Sequence, residues 1–192
     1  MGLWDILRGR SKARPADLDA LFALPAAALT LEAELGLHAT GTGAVCFRAA
    51  EGPAAALTQR EAADLVSVDV GPTTESRVDE FGYTWLTVRA APGDTPTLVT
   101  DLHAVNSALE AQGFGSGLLC SVVGFEDAAA GGPPKRAYVV YLYKQSVFYP
   151  FCPTGPTSRD DLRERQIRDA VREDLVIEPD PSRWMPLWGI TA

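Results

Sequence analysis

The sequence has few of the residues that build metal centres or disulfide frameworks. Its 192 residues include three cysteines and two histidines. Cys46, Cys120 and Cys152 are odd in number and widely spaced, with no CxxC pair, and each lies beside apolar residues. We therefore expect reduced, mostly buried thiols. With only His38 and His103 to supply imidazole, we predict neither a metal site nor a cofactor.

The chain also lacks an excess of positive charge and any long apolar run. Its formal net charge is -8, which disfavours a nucleic-acid partner because phosphate binding needs clustered lysine and arginine. No apolar run approaches the roughly 20 residues that span a bilayer, and the N-terminus lacks the apolar stretch of a signal peptide. We therefore expect a cytoplasmic protein. With 46% apolar and 22% charged residues, the chain can form a hydrophobic core without disulfide bonds or metal ions to stabilise it.

Helical and strand-like patterns are mixed along the chain without regular alternation. Helices are predicted at 17–22, 25–36, 53–66, 95–113 and 158–175, and strands at 44–49, within a hairpin at 74–91, and at 117–127, 138–143 and 147–151. This order predicts a single α+β domain with a mostly antiparallel sheet of about five to six strands and flanking helices. Residues 138–151, YVVYLYKQSVFYPF, are apolar on both faces, which predicts a central hairpin covered on both sides.

Composition divides the chain into three parts. Residues 1–16 form a basic amphipathic leader and linker, 17–175 form the α+β domain, and 176–192 form a tail rich in proline and tryptophan. We expect Trp184 and Trp188 of this tail to pack on the domain, since two exposed indoles would favour aggregation.

Residues 1–14 of the leader combine an apolar face with a basic cluster; their sequence begins MGLWDILRGRSK. Residues 1–14 carry a formal charge of +3, whereas the rest of the chain carries -11. This pattern is typical of docking on an anionic membrane surface or on an acidic groove of a partner. A helix folded back on its own domain is the alternative. The residues assigned to docking are Leu3, Trp4, Ile6, Leu7, Arg8, Arg10, Lys12 and Arg14.

Three further features of the sequence are candidate sites. Trp85, Tyr141 and Tyr143 could line a protein-binding groove beside the apolar hairpin. His103 could serve Cys120 or Cys152 as in a small hydrolase, but sequence shows neither proximity nor an orienting group, so no catalytic residue is predicted. The charged helix at 158–175 is interpreted as a solvated face, with a recognition surface as the alternative.

Eight segments along the whole chain carry a resemblance to a known family. They are MGLWDILRGRSK (1–12), VCFRAAEG (45–52), GYTWL (82–86), LVTDLHAVNSALE (98–110), LLCS (118–121), VYLYK (140–144), FYPF (148–151) and RWMPLWG (183–189). Together they resemble PspAB, an actinobacterial family associated with phage-shock protein A.

The resemblance implies a non-enzymatic accessory or adaptor of an envelope-stress system. Its implied partner is phage-shock protein A or another membrane-stress protein, such as an HtpX-type protease, with peripheral contact at the inner face of the membrane. The family offers no catalytic motif to carry over. Two alternatives stay open: a chaperone-like or peptide-binding domain with the architecture of type III secretion chaperones, an analogy of fold alone, and the Cys/His hydrolase.

Overall fold

Six antiparallel strands form the main sheet in the part of the chain that the computed structural model describes, residues 17–48, 75–127 and 134–190. They are β1 (Leu37–Phe47), β2 (Glu75–Val78), β3 (Thr84–Arg89), β4 (Leu118–Asp127), β5 (Arg136–Leu142) and β6 (Val147–Phe151), in the spatial order β2-β3-β1-β4-β5-β6. A second sheet pairs β7 (Pro153–Gly155) with β8 (Ser158–Arg159). The predicted α+β fold and strand number are confirmed. The leader and the predicted helix at 53–66 lie outside the described residues.

Three α-helices are described: α1 (Leu24–Leu35), α2 (Thr95–Leu109) and α3 (Asp161–Val171). A 3-10 turn, Leu18–Ala23, leads into α1, which ends at Gly36 in the left-handed conformation, as predicted. A π turn, Glu110–Phe114, and a 3-10 turn, Gly115–Gly117, follow α2, and another 3-10 turn, Pro181–Arg183, lies in the tail.

The caps of α2 and α3 lie one and two residues from residues 95 and 158, where the sequence predicts these helices to begin. The side chain of Asp94, not Thr95, accepts the hydrogen bond from the amide of Thr97 at the start of α2. At the start of α3 the side chain of Asp160 caps the amide of Arg163, whereas Ser158, the first residue of the predicted helix, belongs to β8. In both cases the residue directly before the first helical residue is an aspartate, and its carboxylate reaches the free amides of the first turn.

The strand β1 begins seven residues before its prediction, at Leu37 instead of residue 44. The glycines in its first half permit close packing against neighbouring segments of the chain. Gly41 has a φ of +76°, and a Cβ at this position would lie 2.5 Å from the carbonyl oxygen of Ala90. Glycine therefore lets β1 bend through a bulge between Ala39 and Gly43 and still pair with its neighbours.

The helices and the tail cover opposite faces of the sheet. The helix-side core contains the buried residues of α1, α2 and α3 together with Val45 and Phe47 of β1. The tail-side core contains the alternate residues Ala44 and Cys46, and Trp184 of the tail packs there. This alternation along β1 follows from the two-residue period of a strand, and the sheet is buried on both faces at its centre.

The apolar hairpin of residues 138–151 forms β5 and β6 and is covered on both faces, as predicted, but it is not central. β1 and β4 occupy the middle of the sheet, and β6 is an end strand. The outer edge of β6 is bonded by the tail: Phe148 donates to the carbonyl of Val176 and accepts from the amide of Glu178, both at 2.8 Å. The tail thus supplies hydrogen-bond partners to backbone groups at the outer edge of β6, where a further strand would otherwise pair.

Candidate functional site

The three residues of the predicted groove do not come together. Tyr141 and Tyr143 are buried in the helix-side core, whereas Trp85 is buried on the opposite face, in register with Cys46. The sequence could not show this, because the relative faces of β3 and β5 depend on the register of the two strands between them. No groove lined by all three side chains is formed.

Tyr141 instead anchors the point where the leader joins the domain. Its hydroxyl donates to the main-chain carbonyl of Asp17 at 2.6 Å, and Asp17 is the first described residue. Two residues further on, Oδ1 of Asp19 lies 3.1 Å from Nε2 of His103 on α2. Leu21 is fully buried, and the ring of Phe22 lies 5.0 Å from that of His103. The first described residues, Asp17 to Phe22, which follow the leader, are therefore fixed to both β5 and α2.

These contacts also determine what His103 can do. Its Nδ1 lies 3.5 Å from the hydroxyl of Ser107, so both ring nitrogens face polar groups of Asp19 and Ser107. His103 therefore joins the turn before α1 to α2, and its hydrogen-bonding partners in the described part of the chain are not thiols.

All three cysteines are buried, as the sequence indicated. Cys46 and Cys120 are paired across β1 and β4, and their mutual hydrogen bond, together with burial, raises the pKa of Cys46. Burial raises the pKa of the Cys152 thiol to about 12, with a smaller contribution from the nearby carboxylate of Glu164. Thiolate, the form that attacks substrates, is therefore strongly disfavoured at Cys46 and Cys152 near neutral pH.

Slow alkylation of the thiols is the expected result of this environment. In the folded protein at neutral pH, iodoacetamide should label Cys46, Cys120 and Cys152 far more slowly than a free thiol, because all three are buried. The same reagent in denaturant serves as the control and should label all three quickly, as followed by intact mass. Rapid labelling of one cysteine in the folded protein would instead support the hydrolase interpretation.

A buried polar cluster joins α2 to the sheet and was not predicted from the sequence. The side-chain amide of Asn106 donates to the carbonyl of Leu102 at 2.8 Å and to the hydroxyl of Ser121 at 3.2 Å. Ser121 in turn bonds the hydroxyl of Tyr143, whose pKa is raised well above its usual value by burial. The Oδ1 atom of Asn106 has no hydrogen-bond partner among the described residues. These contacts fix α2 against β4 and against the residue that follows β5.

The helix interpreted as a solvated face carries a buried carboxylate. Glu164 of α3 is almost fully buried and receives three hydrogen bonds from the guanidinium of Arg159, at 2.7 to 2.9 Å. It also accepts a hydrogen bond from the backbone amide of Cys152 at 2.8 Å. The solvated-face interpretation is therefore wrong at this position. The spacing in the sequence indicates the burial of Glu164, since it precedes the buried Ile167 and Val171 by three and seven residues and shares their face.

Arg159 connects this carboxylate to the tail. Its Nη1 donates to the carbonyl of Trp184 at 2.9 Å, and its guanidinium lies 5.2 Å from the centre of the Phe151 ring. Burial raises the pKa of Glu164 above its usual value, while Arg159 and the Cys152 amide act in the opposite direction. One guanidinium thus holds α3, β6 and the tail together.

These contacts define a class of protein: a single-domain α+β fold in which the buried polar groups described above join secondary-structure elements. None of its described helices is long and apolar enough to cross a bilayer. Residues 17–48, 75–127 and 134–190 contain no group of three or more metal-ligating side chains close together.

The chain belongs to the PspAB family, PspA associated protein B, because the family model matches residues 1–192. The resemblance seen in the sequence is thereby confirmed over the whole length. Neither a curated protein nor a solved structure shows significant similarity to the chain.

Proposed function

We propose that this protein is a non-enzymatic adaptor of a phage-shock envelope-stress system, acting by protein contact at the cytoplasmic face of the membrane. The observation that carries the proposal is the match of the whole chain to a family described as associated with PspA. The proposed partner is phage-shock protein A or another membrane-stress protein, such as an HtpX-type protease. Nucleic acid is not a partner in this proposal, since the chain carries a net charge of -8.

The docking element in this proposal is the leader. Four apolar residues, Leu3, Trp4, Ile6 and Leu7, precede four basic ones, and the body behind them is acidic. An anionic membrane attracts such a leader and repels such a body, which orients the protein at the surface. The hydrogen bonds of Asp17 to Tyr141 and of Asp19 to His103 support this role, because they fix the residues that follow the leader to the domain.

Energetic estimates favour two simultaneous contacts. Each basic residue near an anionic surface contributes about 1 kcal/mol, so four contribute about 4 kcal/mol before screening. This corresponds to a dissociation constant on the order of 1 mM. Insertion of Trp4 and the leucines must supply the remainder, and four apolar residues offer little apolar area. The leader should therefore bind a membrane weakly alone and firmly when the domain also contacts a membrane-bound protein.

Binding is favoured over catalysis by the environment of the residues that a hydrolase would use. The pKa values of Cys46 and Cys152 are raised, so both thiols stay protonated near neutral pH. His103 is engaged by Asp19 and Ser107. A catalytic thiol would need the opposite environment, partly exposed and electropositive.

Capture from the native host tests the proposal with a charge-matched control. The full chain should retain phage-shock protein A, and the variant Arg8→Gln/Arg10→Gln/Lys12→Gln should lose most of it, because the basic leader supplies one of the two contacts. The control Arg165→Gln/Arg168→Gln/Arg172→Gln removes the same charge from α3 and the residue that follows it, and should retain the partner. Equal recovery with both triple variants would contradict leader docking, and no enrichment of any membrane-stress protein by the full chain would contradict the adaptor role.

A further inference from the structure

An exposed apolar stripe runs along α1 and the turn before it. Phe22, Ala26, Leu29 and Ala33 are all exposed, Leu29 by 71%. Their spacing of four, three and four residues places them on one side of the helix. The opposite side is buried against the helix-side core through Leu24, Ala27, Ala28 and Leu31. The helix α1 is thus apolar on both sides, a pattern typical of a helix covered on both.

Carboxylates lie beside this stripe, and the same segment of chain carries no lysine or arginine. Between Asp17 and Leu37 the chain contains four acidic residues and no lysine or arginine. Asp19 precedes Phe22 by three residues in the 3-10 turn, so the two side chains share a side, and the carboxylate of Asp19 is mostly exposed. Glu32 lies next to Ala33, half-exposed beside His38. The stripe therefore suits an occupant with an apolar face and several positive charges.

The leader has this chemistry and is tethered within reach. Its apolar residues end at Leu7, ten residues before Asp17, and ten extended residues span up to about 33 Å. The stripe from Phe22 to Ala33 is about 16 Å long. The leader can therefore reach any part of the stripe, and a short tether raises its local concentration to the millimolar range.

We propose that the α1 stripe is the resting site of the leader. In the resting protein, the leader's apolar residues lie on Phe22 and Leu29 while its basic residues face Asp19 and Glu32. A membrane or a protein partner must displace the leader from the stripe before it can use the same residues. The competition rests on the function proposed above, whereas the resting contact does not.

Amide resonances of the full-length protein test the resting contact directly. Deletion of residues 1–14 should shift the amides of Ala26, Leu29 and Ala33, because their neighbours are removed. The amide of Leu162 on α3 provides the control, since its side chain is 63% exposed on another helix, and should not shift. Unchanged α1 amides after the deletion would overturn the resting site, whatever the protein does at membranes.

Vesicle binding tests the competition with a matched pair of variants. Leu29→Gln should free the leader and raise the affinity for phosphatidylglycerol vesicles about fivefold, the factor expected when a four-fifths occupied resting state is removed. Leu162→Gln, the same change at a similarly exposed leucine, should leave the affinity unaltered. In the chain lacking residues 1–14, Leu29→Gln should have no effect. An unaltered or lower affinity in full-length Leu29→Gln would overturn the competition, while absence of vesicle binding by every chain would contradict the membrane part of the proposed function.

Discussion

Replacing Trp184 by alanine is expected to lower the free energy of unfolding by about 3–5 kcal/mol, the usual cost of removing a large aromatic side chain from a core. Trp184 is 4% exposed and packs in the tail-side core. Its indole also donates to the carbonyl of Glu178 at 3.0 Å, so the substitution leaves this buried carbonyl unpaired. Urea denaturation of the two proteins, followed by circular dichroism, measures the difference.

Trp188 supplies the matched control from the same tail. It was predicted to pack on the domain like Trp184, but it remains 38% exposed, and its described ring contact is with Phe151 at 5.3 Å. Trp188→Ala should therefore cost about 2 kcal/mol, less than Trp184→Ala, because the indole loses less buried area together with one aromatic pair. If Trp184→Ala were as mild as Trp188→Ala, the tail would be an arm for a partner and not part of the fold.

Replacing Glu164 by alanine should destabilise the protein by about 3 kcal/mol, near the lower end of the cost of breaking a buried ion pair. The side chain of Arg159 is 19% exposed, so water can compensate part of the lost carboxylate. The amide of Cys152 also loses its acceptor. Arg168→Ala, which breaks an exposed pair with Asp169 on the same helix, is the control and should cost less than about 1 kcal/mol. Equal effects of the two substitutions would contradict the structural role of the buried pair.

The pH dependence of the same pair has an unusual sign. Burial raises the pKa of Glu164 above 4.5, its ordinary value, so the folded state takes up a proton more readily than the unfolded state. As pH falls towards 4.5 from neutrality, the wild-type protein should therefore gain stability relative to Glu164→Gln. A loss of stability relative to Glu164→Gln over this range would show that Arg159 lowers this pKa instead.

The sequence predicted those elements whose signals are local. The end of α1 at Gly36 follows from glycine's tolerance of the left-handed conformation, and the two-residue period of a strand accounts for the opposite faces of Trp85 and of Leu86 and Val88 on β3. The family was likewise readable, because its segments extend along the whole chain.

The errors concern relations between distant elements. The position of β6 at the end of the sheet depends on strand order, and its cover by residues 176–178 depends on the path of the tail. The groove of Trp85, Tyr141 and Tyr143 failed because two intervening strands determine which faces meet. Glu164 was missed for a different reason: a charge on a charged helix suggests solvent, unless its spacing from buried residues is weighed against its polarity.

Co-sedimentation with anionic vesicles that carry phage-shock protein A tests the adaptor proposal most directly. The account predicts that the full chain sediments with these vesicles more firmly than with bare ones, that salt weakens the binding, and that deletion of residues 1–14 leaves the protein largely in the supernatant. Sedimentation of the deleted chain to the same extent as the full chain, or no difference between loaded and bare vesicles, would contradict it.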